Sequence, residues 1–228
     1  MTTPDSPATG LAAGTVSAVW TDFGGVLTPP VAEDTAVFCA RQGMTPEQFQ
    51  GAMRIVGERY GTDPMGPLDT PLVTEDVWAA EVQAVLAEEY GVRTDLSGFA
   101  DRWFGGRSGN PAWERWLRAA HGDGVFVGLL SNMPPAWDVH WRRMVPPEGL
   151  FDDLVMSFEV GSRKPEPEIF ALAAERAGVD PARCVLVDDL EKNCAGARAA
   201  GWQAVHFTDA EQAIRRLEPR LARSAPGA

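Results

Sequence analysis

The sequence predicts an α/β protein, a parallel sheet sandwiched by helices, with a block of helices inserted directly after the first strand. Three observations carry this. Short apolar runs recur along the second half of the chain, separated by helical patterns, as in parallel strands joined by crossovers. One further run, VSAVWTD from Val16, stands alone near the N-terminus and empties into Gly24 and Gly25. Between it and the others, residues 31–104 carry helical signals and no strand pattern.

Each element follows from local chemistry. VSAVWTD reads as a buried strand ending in a tight loop. In the insertion, Thr45-Pro46 with Gln48 three residues after the threonine is a capping box, and Thr74 opens the amphipathic stretch EDVWAAEVQAVLAEEY. Asn110-Pro111 starts a helix through Ala120; VFVGLLS (125–131) is a strand; residues 134–145 are helical; FDDLVMSF (151–158) is extended. GSRKPEPEIF leads into a helix to Gly178, CVLVDD (184–189) is a strand, 191–200 a helix, WQAVHF (202–207) the last strand and 209–222 a closing helix. Glycine pairs at 24–25 and 105–106 are expected hinges at the two ends of the insertion.

Composition bounds the function. The 228 residues carry 20 Lys and Arg against 32 Asp and Glu, a net charge of −12, so the global field has the wrong sign for nucleic-acid polymers or anionic membranes. A phosphate-bearing partner would have to be met by a local site. No apolar run is long enough to span a bilayer, and the first residues, MTTPDSPATGLAAGT, lack the basic and apolar regions of a signal peptide, so a cytoplasmic location is expected. Cys39, Cys184 and Cys194 have no metal-type spacing and read as reduced, buried residues.

In an open parallel sheet, ligands bind beyond the carboxyl ends of the strands. The residues there are Asp22, Ser131 and the pair Asp188-Asp189, with Lys164 in a proline-rich loop able to reach the same edge. Singly, each has an ordinary role as turn former, cap or solvated charge. Together, DFGGVLT (22–28), LLSN (129–132), RKPEPEIF (163–170) and VLVDDLEKNCAGARAAG (185–201) resemble, in order and spacing, the four motifs of the haloacid dehalogenase-like hydrolase superfamily.

The resemblance implies a Rossmann-like core of residues 15–29 and 106–222 and an α-helical cap of 30–105; the residues themselves read as flexible tails at 1–14 and 223–228. It implies a Mg²⁺-dependent phosphatase acting through an aspartyl-phosphate. Asp22 would be the nucleophile, Lys164 would pair with it and with the phosphoryl oxygens, and Ser131 would donate to those oxygens. Backbone amides of Phe23, Gly24 and Asn132 would add donors. Asp22, the Gly24 carbonyl and Asp189 would hold the ion, with Asp188 and Asn193 as outer partners and the choice between the two aspartates open by one position. Arg163 is read as a solvated neighbour of Lys164.

One position departs from that pattern. Most phosphatases of the superfamily carry an acid/base Asp two residues after the nucleophile, whereas this chain has Gly24, as in a group resembling α-glucose-1-phosphate phosphatases. A positioned acid/base is worth about 10² to 10⁴ in rate. Three readings follow: a phosphatase for a substrate with a good leaving group, a metal-independent 2-haloacid dehalogenase, or a binding protein without turnover; the retained Asp188-Asp189 pair disfavours the dehalogenase. Glu33 and Asp34 are the nearest replacement carboxylates, though a solvated helix face is their ordinary reading. Phe99, Trp103, Phe104, Trp137 and Trp141 are candidates to line a substrate pocket favouring a bulky apolar or cyclic leaving group, with core packing as the plainer role for Trp137 and Trp141. The partner expected is a small phosphorylated molecule, to a monomer or homodimer; His121, His140 and His206 fall outside the motifs.

Overall fold

The computed structural model describes residues 16–222, and both expected tails, 1–14 and 223–228, lie outside the described residues. The elements are β1 (Ala18–Thr21), α1 (Val31–Gln42), α2 (Pro46–Arg59), α3 (Gly66–Asp69), α4 (Glu75–Tyr90), α5 (Phe99–Phe104), α6 (Pro111–Gly122), β2 (Phe126–Ser131), α7 (Asp138–Met144), β3 (Asp153–Met156), α8 (Ser157–Val160), α9 (Pro167–Ala177), β4 (Cys184–Asp188), α10 (Glu191–Ala199), β5 (Gln203–His206) and α11 (Ala210–Leu217). The five strands pair in parallel in the order β3-β2-β1-β4-β5.

β1 is central, so both its faces are covered and its run is continuously apolar rather than alternating. Val19 joins Val127, Leu129, Val185 and Val187 on one face. Trp20 joins Leu130, Leu186, Phe170 and Trp202 on the other. The neighbouring strand makes room for that tryptophan: a Cβ on Gly128 would lie 2.3 Å from its ring.

All five helices α1 to α5 lie between β1 and α6, as the absence of strand signals in that stretch predicts. Thr45 and Gln48 form the reciprocal capping box, and the Thr74 hydroxyl accepts from Val77 N. The two connecting segments are joined to each other: Asn110 N donates to Leu27 O (2.7 Å) and Asn110 Nδ2 to Val26 O (3.0 Å). Gly25 and Gly106 both have positive φ.

Two elements differ from expectation. The run 151–158 is strand only to Met156, because Ser157 opens α8 and its hydroxyl is taken by Asp69 O and Met133 N. The closing helix ends at Leu217 because Pro219 cannot continue it, and the chain beyond bridges Leu221 to Val16. Among the described residues no helix is long and apolar enough to cross a membrane. The three cysteines are buried, and burial pushes the thiols up, Cys39 to about 11 and Cys184 and Cys194 to about 12.

Candidate active site

β1 and β4 run side by side and deliver two acidic residues to one edge. Asp22 follows the last residue of β1, with its amide bonded to Val187 O (2.8 Å), and Asp188 ends β4 with Asp189 next in the chain. The loop after Asp22 passes so close to Asp189 that a Cβ on Gly25 would sit 2.4 Å from its Oδ2. Only glycine permits both this approach and the positive φ of 72°.

Lys164 reaches the same edge and is 1% exposed. Its Nζ donates to Asp22 Oδ1 (2.8 Å) and to Asp188 Oδ2 (2.6 Å). The Asn132 side chain holds the lysine's backbone at both ends, accepting from Lys164 N and donating to Lys164 O, each at 2.8 Å. Sequence reasoning assigned only the backbone of Asn132, since no periodicity indicates a contact across 32 residues.

Asp188 is fully committed. Beyond Lys164 it accepts from Leu190 N (2.9 Å) and from Asn193 Nδ2 at both oxygens (3.0 and 3.1 Å). One oxygen each of Asp22, Asp188 and Asp189 lie within 4.8 Å of one another. Burial pushes the Asp189 carboxyl up to about 7, with the Asp22 and Asp188 charges adding to the effect. Burial likewise raises Asp22, against the opposing pull of Lys164. Burial alone would lower Lys164, but Asp188 and then Asp22 more than offset it and the ammonium is held above its usual range. With one ammonium among three carboxylates, burial and mutual repulsion favour protonated Asp22 and Asp189 unless a cation stands beside them, and the oxygen donors suit a hard divalent ion.

Above this cluster lies a cavity of about 500 Å³ bounded by the sheet edge and the helical insertion. The expected residues Asp22, Phe23, Gly24, Ser131, Asn132, Trp137, Lys164, Asp189 and Asn193 all line it, while Asp188 sits beneath the lining. Phe99 and Trp103 join Trp137 on the wall. Trp141 and Phe104 do not: both pack on Phe23, at ring-centroid distances of 6.1 and 6.3 Å. Trp137 and Trp141 part company because Trp137 belongs to a 3₁₀ turn ahead of α7 rather than to the helix itself.

Two sequence readings are corrected. Asp34 is not on a solvated face; it is nearly buried and paired with Arg107, whose guanidinium stacks 4.6 Å from the Trp103 ring centre. Glu33 is exposed as expected. Arg163 is not solvated either. It is buried and paired with Asp69 (2.8 Å) and Asp63 (3.0 Å), two residues of the insertion, so it ties the Lys164 loop to the opposite wall. No motif marks these acids, since the pairing with Asp69 spans 94 residues.

This tie has a measurable signature. Burial pushes the Asp69 carboxyl up to about 7 despite Arg163. Its unfolded value is about 3.9, so between those values the folded state holds a proton that the unfolded state has released, and its contribution to stability declines as pH rises. Arg163→Met leaves Asp69 without its countercharge. The expected loss is roughly 3 kcal/mol at pH 8, where the carboxyl is ionised, and much less at pH 5, where it is protonated, as read by urea denaturation at each pH.

The parallel sheet thus carries a buried Asp-Lys-Asp cluster at its carboxyl edge, with Asp22 a candidate nucleophile. Residues 16–201 match the model of the haloacid dehalogenase-like hydrolase family, and the chain belongs to that family. Among curated relatives, a sesquiterpene phosphatase of Aspergillus oryzae is 35% identical over 94 residues, covering 41% of this chain and 47% of the relative. A phosphoglycolate phosphatase of Salmonella paratyphi A is 27% identical over 143 residues, covering 60% and 53%. The matches thus span about half the length of these relatives. Among solved structures, a magnesium complex of a family enzyme from Bacteroides thetaiotaomicron superposes with a TM-score of 0.59 at 25% identity, covering 85% of this chain and 93% of that one. The L-2-haloacid dehalogenase of Xanthobacter autotrophicus does so at 0.61 and 21%, covering 92% and 85%, a likeness of fold.

Proposed function

We propose that the protein is a Mg²⁺-dependent phosphatase that hydrolyses a small phosphate monoester with a good leaving group, through phosphorylation of Asp22. The observation that carries this reading is the cluster itself: three carboxylates gathered together, two of them paired with Lys164, beneath a cavity. A haloacid needs no such excess of acid, whereas a phosphoryl group attacked by a carboxylate needs a cation beside it.

Asp22, the Gly24 carbonyl and Asp189 would hold the ion, because Asp188 already accepts from Lys164, Leu190 and Asn193. When bound, Mg²⁺ supplies positive charge that offsets the repulsion between carboxylate and phosphoryl oxygens. Lys164 orients Asp22 through Oδ1 and shares its charge with the phosphoryl group, and Ser131 and the amides of Phe23 and Gly24 donate to the same oxygens. An Asp22 oxygen forms the new bond to phosphorus as the ester P–O bond breaks, and the leaving oxygen takes the electron pair. Water then attacks phosphorus, the aspartyl bond breaks, phosphate is released and the water's proton passes to solvent. The helices 30–105 act as the cap over this site, and the protein binds its substrate from solution.

The deciding assay is hydrolysis of p-nitrophenyl phosphate with and without Mg²⁺. Turnover that is lost with EDTA and restored by Mg²⁺ is expected. Halide release from a 2-haloacid without metal, in the absence of phosphatase turnover, would establish the dehalogenase instead. The relatives' named substrates, a sesquiterpenoid and phosphoglycolate, differ widely in polarity, so likeness alone does not select the alcohol.

A further inference from the structure

Resting on that phosphatase reading, the cavity wall and Gly24 together point to the leaving alcohol: we infer that the substrate is an aryl phosphate, the monoester of an apolar phenol-type alcohol. Two independent observations converge on this class.

The first is the wall. Phe49, Met53, Met65, Phe99, Trp103 and Trp137 form its apolar part. Three of the rings lie in sequence, Phe99 to Trp103 at 5.7 Å and Trp103 to Trp137 at 5.8 Å, with interplanar angles of 30° and 21°. The indole Nε1 atoms of Trp103 and Trp137 are buried within the packing, without a partner among the described residues. At the rim, Val31 and Leu190 are exposed to 39% and 45% and extend the apolar path outward.

The wall's charges are spent on each other. Arg163 pairs with Asp69 and Asp63, Lys192 with Asp63 (3.3 Å) and Arg107 with Asp34. Thr35 donates to its own helix at Val31 O, Asn132 is held by Lys164, Gln50 is exposed, and the unpartnered Nε atoms of Arg107 and Arg163 are buried like the indole Nε1 atoms. Hydroxyls of a sugar, or a second anionic group, would lose water here without gaining matched partners, which costs binding. An aromatic ring instead buries apolar area against this wall.

The second observation is the missing acid. With glycine at 24, Glu33 exposed, Asp34 paired with Arg107, and Asp63 and Asp69 sharing Arg163, no unpaired carboxyl among the described residues takes the place of an acid beside the nucleophile. A phenol ionises near about 10, whereas an aliphatic alcohol ionises close to the ~16 of water. The aryl–O bond to phosphorus can therefore break with the electron pair departing on a phenolate, which takes its proton later from solvent.

The test compares kcat/KM, in Mg²⁺, for phenyl phosphate, 2-naphthyl phosphate, glycerol phosphate and glucose 1-phosphate. Phenol and naphthol leave about equally well, so their ratio reports the wall; burial of the second ring should favour the naphthyl ester about tenfold. Glucose 1-phosphate has a good leaving group without an apolar body and should fall below both. Met53→Gln should narrow the naphthyl preference. Equal rates for the two aryl esters, or a preference for glucose 1-phosphate, would overturn the inference while leaving the phosphatase reading intact. Calorimetric binding of the same esters to Asp22→Asn supplies a readout free of turnover: an absent naphthyl preference there overturns the inference, and a preference without hydrolysis of any ester by the unmodified protein overturns the phosphatase reading instead.

Discussion

Asp22→Asn is expected to lower hydrolysis of p-nitrophenyl phosphate by at least about 10⁴-fold, the order seen when a covalent nucleophile is removed. The fold should survive. Asp22 is one of three carboxylates crowded together, and burial already works against its charge. Removing that charge relieves repulsion on Asp188 and Asp189, and Lys164 keeps its 2.6 Å bond to Asp188. The melting temperature of the metal-free variant should accordingly match or exceed that of the unmodified protein. A variant that loses activity and melts early would instead assign Asp22 a structural role.

Gly24→Asp should do the opposite for poor substrates. Gly24 has no positive φ, and a Cβ there would meet only Val31 Cγ2, at an ordinary 3.5 Å. The position therefore admits a side chain, in contrast to Gly25, where the added atom would strike Asp189. A carboxyl at 24 would stand beside the nucleophile at the cavity floor and could protonate a leaving alkoxide. The expected gain is about 10² to 10⁴ in kcat/KM for glycerol phosphate, with little change for p-nitrophenyl phosphate, whose leaving group needs no proton. A uniform gain or a uniform loss across the two esters would argue that leaving-group protonation is not what Gly24 lacks. The same absence bears on the second half of the cycle, since no base at position 24 activates the attacking water. With an aryl ester the first step should be fast and the second slow, and product release should begin with a burst.

Legibility in the sequence followed range. The strands, the capping box at Thr45, the cap at Thr74 and the run of helices after β1 rest on short-range patterns, and these are readable from neighbouring residues. Asp22, Ser131, Lys164 and Asp189 were readable because strand ends in a parallel sheet share one edge and because four motifs occur in order. The boundary at Ser157 was not, because its hydroxyl answers to Asp69 across 88 residues. Nor was the Arg163 tie to Asp63 and Asp69, or the pairing of Asp34 with Arg107, for charges adjacent to turns look solvated until a distant segment covers them. The split of Trp137 from Trp141 turned on a single turn of 3₁₀ geometry, below the resolution of any helical period.

The most direct test of the account is to trap the covalent state. The protein is mixed with 2-naphthyl phosphate and Mg²⁺, quenched in acid within the burst, and its peptides are weighed by mass spectrometry. The account predicts one added phosphoryl group on the peptide carrying Asp22, absent from Asp22→Asn and more abundant in the unmodified protein than in Gly24→Asp. Steady turnover with no phosphorylated peptide, or with the label on another residue, would contradict it.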